Sequence, residues 1–379
     1  MQKLKKGMIL TITAAAGITA AVAISLFPPP ETAGSVFPLN KRYINEAMWW
    51  RPACNGVQCS LCPFECFLPE GKRGRCKVRI NSGGRLKTLV YGQPVSAHVD
   101  PIEKKPVYHM LPGSGIFSIA TVGCNLRCDF CQNWSISQVY PEQTGKLPLI
   151  SPQRIVDEAV KAGCRSIAYT YSEPVIFYEY VLETARLAKR SGLRNVMVSA
   201  GYINPEPLKA IAKYFDVVKI DLKGFNEGFY KDVIGGDLKV VKETLITLKK
   251  ESVLIEVVNL VVPTLNDDMN EIRKMCQWIF DNLGADTPLF FSRFTPQYQL
   301  ANLPPTPIET LEEARRIAME EIGLRYVYIG NVPGNPGENT YCPKCHNIII
   351  RRYGYDILDY DLEGDRCEFC GEKIPGIWR

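Results

Sequence analysis

From about residue 115 onward, apolar residues fall into a repeating two-part pattern. Short β-branched or aromatic runs, "FSIATVG", "SIAYTYS", "RNVMVSA", "DVVKIDL", "LIEVVNLVV", "LFFSRF" and "YVYIGN", alternate with longer stretches whose apolar positions recur at helical spacing. The first helix is announced by "SPQRIVDEAVKAG", with Ser151 as cap, Pro152 at the first helical position and Gly163 as stop. Further helices follow in "PVIFYEYVLETARLAKRSG", "PEPLKAIAKYF", "KVVKETLITLKKE", "MNEIRKMCQWIFDNLG" and "PIETLEEARRIAMEEIG". Strands alternating with helices predict βαβ units and a parallel sheet, open or closed into a barrel. Functional groups are then expected at the carboxyl ends of the strands. Those ends carry Ser172 and Glu173, Ser199 and Gly201, Asp221 and Lys223, Asn259 and Pro263, Arg293, and Asn331. Some of these serve as ordinary caps and turns, but the charged "DLK" in an apolar strand end points to a site.

The N-terminal pattern is different. "MILTITAAAGITAAVAISLF" (residues 8 to 27) is uncharged throughout and long enough to cross a bilayer, and "KLKKG" precedes it. It reads as an uncleaved membrane anchor over residues 1–28, with a cleaved export signal as the alternative. The lysines favour the cytoplasmic side, which would put the body outside, while Lys41 and Arg42 beyond the anchor weaken that topology and leave a cytoplasm-facing body as another alternative. A proline-rich linker (29–50), a cysteine-rich β module (51–113), the α/β core (114–338) and a short cysteine-rich module (339–379) complete the expected organisation.

The net charge of +5 includes three lysines in the first thirty residues, so the remainder is nearly balanced and no nucleic-acid partner is expected. The 14 cysteines change the picture more. Eleven of them cluster in three tight groups rather than spreading as a disulfide framework, which favours metal sites. Cys342, Cys345, Cys367 and Cys370 give C-x2-C-x21-C-x2-C, a zinc-ribbon pattern, with a rubredoxin-like iron site as the alternative. Cys59, Cys62, Cys66 and Cys76 suit zinc or a second iron–sulfur cluster, with zinc or another structural metal favoured. Cys164 and Cys276 read as buried small hydrophobes. The group Cys124, Cys128 and Cys131 stops at three thiols, C-x3-C-x2-C, and so leaves one metal position without a protein ligand. A zinc site completed by His109 is disfavoured, because His109 lies in "PVYHMLPGSG" with no ligand-type spacing to the loop.

"GCNLRCDFC", with Phe130 before its last cysteine and placed after the first strand of a (β/α) pattern, resembles the radical S-adenosylmethionine superfamily. "GKRGRCKVR", "HVDPIEKKPVYHMLPGSG", "RFTPQYQL", "YIGNVPG" and "NTYCPKC" are similar to its AmmeMemoRadiSam-system branch, relatives of pyruvate formate-lyase activating enzymes. The resemblance implies a partial (β/α)6-type barrel in which Cys124, Cys128 and Cys131 hold a [4Fe-4S] cluster whose open iron binds S-adenosylmethionine. It implies coenzyme contacts for Phe130, for Ser172 and Glu173 in "TYSEP", for Ser199 in "SAGY", and for Asp221 and Lys223 in "IDLKGF". It further implies reductive cleavage of the coenzyme to a 5′-deoxyadenosyl radical, a protein glycine or small molecule as hydrogen donor, and an electron donor such as flavodoxin or ferredoxin. A membrane-tethered iron–sulfur electron carrier without this chemistry is the competing expectation.

Overall fold

The computed structural model describes residues 45–379. The predicted membrane anchor and most of the linker lie outside the described residues; among those described, no helix is long and apolar enough to cross a membrane. Residues 45–50, the end of the expected linker, are already part of the body: Asn45–Glu46 pairs antiparallel with Arg85–Thr88, and Trp50 pairs with Cys59.

One sheet organises the molecule. Its strands are β1 (Ser96–Pro101), β2 (Gly115–Ala120), β3 (Ser166–Tyr169), β4 (Arg194–Ser199), β5 (Val217–Asp221), β6 (Leu254–Val261), β7 (Leu289–Arg293) and β8 (Val327–Gly330), hydrogen-bonded in sequence order. From β2 to β8 every pairing is parallel, whereas β1 runs antiparallel to β2 with His98 opposite Ser118. Seven parallel strands, rather than six, follow from the seven apolar runs in the sequence, and β1 adds a strand from what had looked like the separate N-terminal module.

Each crossover from β3 onward carries a helix, and one more precedes β3. They are α1 (Pro152–Lys161), α2 (Tyr178–Arg190), α3 (Pro205–Ala212), α4 (Leu238–Lys250), α5 (Met269–Leu283) and α6 (Ile308–Arg316). Local chemistry sets α1 as expected: the Ser151 hydroxyl accepts from Arg154 N at 3.2 Å, and Gly163 stops the chain at φ +70°. Its buried Ile155, Val156 and Ala159 lie on one face. Strands covered by helices carry unbroken apolar runs, and all of Ser166–Tyr169 is buried. Phe290 and Phe291 alternate to opposite faces of β7 and are both wholly buried, each worth about 2–3 kcal/mol of apolar burial.

Two smaller modules are welded to this frame. The N-terminal one is tied on by the buried ion pair of Arg79 with Glu179 of α2. The C-terminal strands Ile348–Tyr353 and Asp356–Tyr360 share a core with the sheet, where Ile349, Ile350 and Trp378 join Tyr108, Phe290 and Tyr328. The module's apolar side chains are thus buried against the sheet as well as beside its own cysteines. Because β2 to β8 are parallel, their carboxyl ends and the loops beyond them lie on one side, which is where the cavity described next opens.

Candidate active site

The three-cysteine loop leaves β2 through Gly123, at φ +96°. A Cβ there would stand 2.7 Å from the Cys76 carbonyl oxygen, so only glycine fits. The loop is pinned by backbone bonds from Arg127 N to Ile234 O (3.0 Å) and Asp129 N to Val233 O (3.1 Å). Cys124, Cys128 and Cys131 thereby line one cavity of about 400 Å³, together with Phe130. Burial pushes the Cys128 thiol up to about 12, against the pull of the Lys223 ammonium, and pushes Cys124 well above the ordinary thiol range. Thiols so placed stay protonated unless a cation takes the proton's place.

Across the cavity stand the ends of β3, β4 and β5. Glu173 is buried and its carboxylate accepts from Ser199 Oγ at 2.6 Å, Ala200 N at 2.9 Å and Val175 N at 3.1 Å. Burial raises its carboxyl above the ordinary range, opposed by those three donors. Glu173 and Ser172 line the cavity, whereas Ser199 does not; its hydroxyl is spent on Glu173, and Ala200 takes the lining position. Asp221 lies between two ammonium groups, Lys219 and Lys223, the latter at 3.1 Å, and all three line the cavity. Burial opposes the Asp221 charge, but the two lysines outweigh it and hold the carboxyl down at about 2. Lys223 also sits 5.8 Å above the Phe130 ring.

Other strand-end candidates divide. Asn331 lines the cavity; Asn259 instead donates to Leu222 O (2.8 Å), and Arg293 to Thr306 O (2.9 Å), both tying loops together. Sequence reasoning missed Lys219, although Lys219, Asp221 and Lys223 recur with the strand period of two and so share a face. It also missed a network at the cavity's edge. Lys105, 2% exposed, donates to Asp100 Oδ2 at 2.7 Å and to the Tyr171 hydroxyl at 2.8 Å, and His98 Nε2 meets that hydroxyl at 2.9 Å. Burial lowers the Lys105 ammonium to about 8 against the opposing Asp100 charge. The signal was the pair of lysines in "DPIEKK". Tyr355, from the turn between the two C-terminal strands, also reaches the cavity, which no local pattern announces.

The other cysteine sets are built differently. Cys342 Sγ lies 3.5 Å from Cys370 Sγ, Cys345 Sγ lies 3.7 Å from Cys367 Sγ, and all four are within 4.8 Å of one another. Four thiols around an ion with metal–sulfur bonds of about 2.3 Å need that spacing. Cys59, Cys62, Cys66 and Cys76 line a second, smaller cavity beside Asn125. His109 is buried and satisfied, its Nδ1 2.6 Å from Pro375 O and its Nε2 2.8 Å from the Tyr328 hydroxyl, so both ring nitrogens are already engaged.

A family model described as the radical SAM superfamily matches residues 118–279. Over 334 residues the chain is 46% identical to the uncharacterised protein MJ0808 of Methanocaldococcus jannaschii, covering 87% of this chain and 99% of that one. It is also 25% identical over 174 residues to the pyruvate formate-lyase-activating enzyme of Clostridium pasteurianum, covering 45% of this chain and 72% of that one. The chain belongs to the radical SAM superfamily. Among solved structures, a domain of the pyruvate-formate lyase-activating enzyme from Bacteroides vulgatus matches with a TM-score of 0.38 and 12% identity, covering 44% of this chain and 99% of that one.

This radical SAM protein is an enzyme, and its superfamily implies a [4Fe-4S] cluster and S-adenosylmethionine. The residues present fit both groups. Of the described cysteines only Cys124, Cys128 and Cys131 line the larger cavity, so three thiols meet there without a fourth. The Ser172 hydroxyl, buried in the same wall, has no hydrogen-bond partner within the protein.

Proposed function

We propose that this enzyme reductively cleaves S-adenosylmethionine at a [4Fe-4S] cluster held by Cys124, Cys128 and Cys131, and directs the resulting 5′-deoxyadenosyl radical to a C–H bond of its substrate. The observation that carries the reading is the three-thiol wall facing Glu173, Asp221 and Lys223 across one cavity at the strand ends. The cluster and coenzyme supply the radical chemistry; the chain's part is to hold, orient and enclose. Phe130 and the Lys219–Asp221–Lys223 row give the coenzyme an aromatic face and fixed charges. Glu173, with its oxygens tied to Ser199 and Ala200, fixes the ends of β3 and β4 and presents the unpartnered Ser172 hydroxyl beside it. Likeness to the activating enzyme supports a protein glycine as hydrogen donor and a one-electron protein donor such as flavodoxin or ferredoxin. The four close thiols near the C-terminus suit a structural zinc ion.

The test is anaerobic reconstitution with iron and sulfide, then dithionite and S-adenosylmethionine. Wild type is expected to release 5′-deoxyadenosine and methionine, and Cys128→Ala to release neither. Equal product from both proteins would overturn the reading.

A further inference from the structure

Only one of the three cysteine sets has the spacing of a mononuclear metal site. In a tetrahedral site with metal–sulfur bonds of about 2.3 Å the sulfurs lie about 3.8 Å apart. Among the described residues, only Cys342, Cys345, Cys367 and Cys370 bring three or more ligand atoms within 4.8 Å of one another. An iron–sulfur cluster holds its thiolates farther apart, at about 6 Å, because four irons stand between them. Neither Cys124, Cys128 and Cys131 nor any three of Cys59, Cys62, Cys66 and Cys76 form such a close group.

The second set nevertheless surrounds one cavity. Gly74 shows how its thiols converge: a Cβ there would lie 3.6 Å from Cys66 Sγ and 3.7 Å from Cys76 Sγ. The lining is cationic. Arg79, only 2% exposed, stands with Nη1 3.8 Å from Cys59 Sγ, and its Nε has no partner. Arg75 lines the same space and donates to the Asn125 carbonyl at 3.2 Å. Glu179 already balances the Arg79 charge, which leaves Arg75, bonded to the carbonyls of Asn125 and Gly235, as the cation of a lining that holds four thiols, a setting that suits an anionic occupant.

We infer that Cys59, Cys62, Cys66 and Cys76 hold a second iron–sulfur cluster, through which electrons enter the site. Asn125 lines this cavity while Cys124, the next residue along the chain, lines the catalytic one. Consecutive Cα atoms are about 3.8 Å apart, so the two cavities adjoin at this loop. Cys62 and Cys66 are partly exposed, which gives a donor a point of approach. A low-potential one-electron donor passes one electron to the second cluster, which passes it to the first; the donor is oxidised by one electron and no proton or bond is exchanged. The relay rests on the proposed coenzyme cleavage, whereas the identity of the second metal site does not.

The decisive protein is the full chain carrying Cys124→Ser, Cys128→Ser and Cys131→Ser, reconstituted anaerobically with iron, sulfide and zinc. About four irons per chain with matching acid-labile sulfide, and a paramagnetic signal after dithionite reduction, are expected. Zinc in their place, iron without sulfide, or no metal in this set would overturn the assignment. The complementary variant, Cys62→Ser with Cys76→Ser, guards against misfolding of the first: its iron should fall by about half relative to wild type, and unchanged iron would overturn the assignment too. With reduced flavodoxin this variant should form 5′-deoxyadenosine at least about tenfold more slowly than wild type, yet within about twofold of it with dithionite. Equal rates with both reductants would overturn the relay alone. Failure of wild type to cleave the coenzyme at all would instead strike the proposed function and leave the iron count standing.

Discussion

Asp221 is the side chain on which the charge arrangement of the cavity turns. It neutralises two ammonium groups that would otherwise face each other with 6% and 15% of their side chains exposed. Asp221→Asn keeps the shape and removes the counter-charge. Stability is expected to fall by about 2 kcal/mol, below the 3–5 kcal/mol range for fully buried pairs, because Asp221 retains 28% exposure. Urea unfolding at neutral pH should show a lower midpoint with an unchanged slope; an unchanged midpoint would mean that another anion neutralises the lysines. The pH dependence has a definite sign. The carboxyl is held below its ordinary value, so its contribution is present above about 3.8 and is lost as pH falls toward 2. The asparagine variant should lack that acid-side loss.

At the scale of elements, β6 carries an acid where none belongs. Glu256 is fully buried, and its carboxylate accepts from Tyr108 N at 2.9 Å and His109 N at 3.0 Å, fastening the segment after β1 to the sheet. Burial pushes the carboxyl up to about 7, the two amide donors notwithstanding. The folded state therefore binds the proton more tightly than the unfolded chain, and stability declines as pH rises from about 4.5 through 7, by up to ~3 kcal/mol. His109 next to it, lowered to about 4 by burial, contributes the opposite slope between about 4 and 6.5. The comparison of wild type with Glu256→Gln isolates the acid: the variant should lose the decline, and a parallel pH–stability profile would refute it. Helices and parallel strands were legible in the sequence because caps, glycine stops and apolar runs are local signals. The loop cysteines, Glu173, Asp221 and Lys223 were legible because they stand at strand ends. The side of the strand on which each residue faces was not, so Ser199 was expected in the cavity and Lys219 was overlooked. Lys105 and Tyr355 escaped for a different reason: they reach the site from β1's flank and from the C-terminal turn, through packing that no short window encodes.

For the molecule as a whole, the shared core around Tyr108, Phe290 and Tyr328 makes the C-terminal module part of one cooperative unit. Arg352 reinforces the junction, its guanidinium 3.9 Å from the Tyr108 ring and bonded to Thr340 Oγ1 at 2.7 Å. Stripping the metal from Cys342, Cys345, Cys367 and Cys370, or replacing Cys342 by Ala, is expected to lower the main thermal transition by several degrees, at about 2–4 °C per kcal/mol for a body of this size. Calorimetry that instead shows a small early transition, with the main one unmoved, would mean that the module melts alone.

The position of Tyr355 also sets an order of events during synthesis. β2 to β8 leave the ribosome before Tyr355, carrying every cysteine that faces the larger cavity, so the wall to which Tyr355 contributes arrives after the thiols it helps to enclose. Trp378, farther along the chain, packs 5.5 Å from the His109 ring. A nascent chain thus carries all three loop thiols before it can enclose them, and the reactive chamber stays open until Tyr355 has been made and its turn has packed.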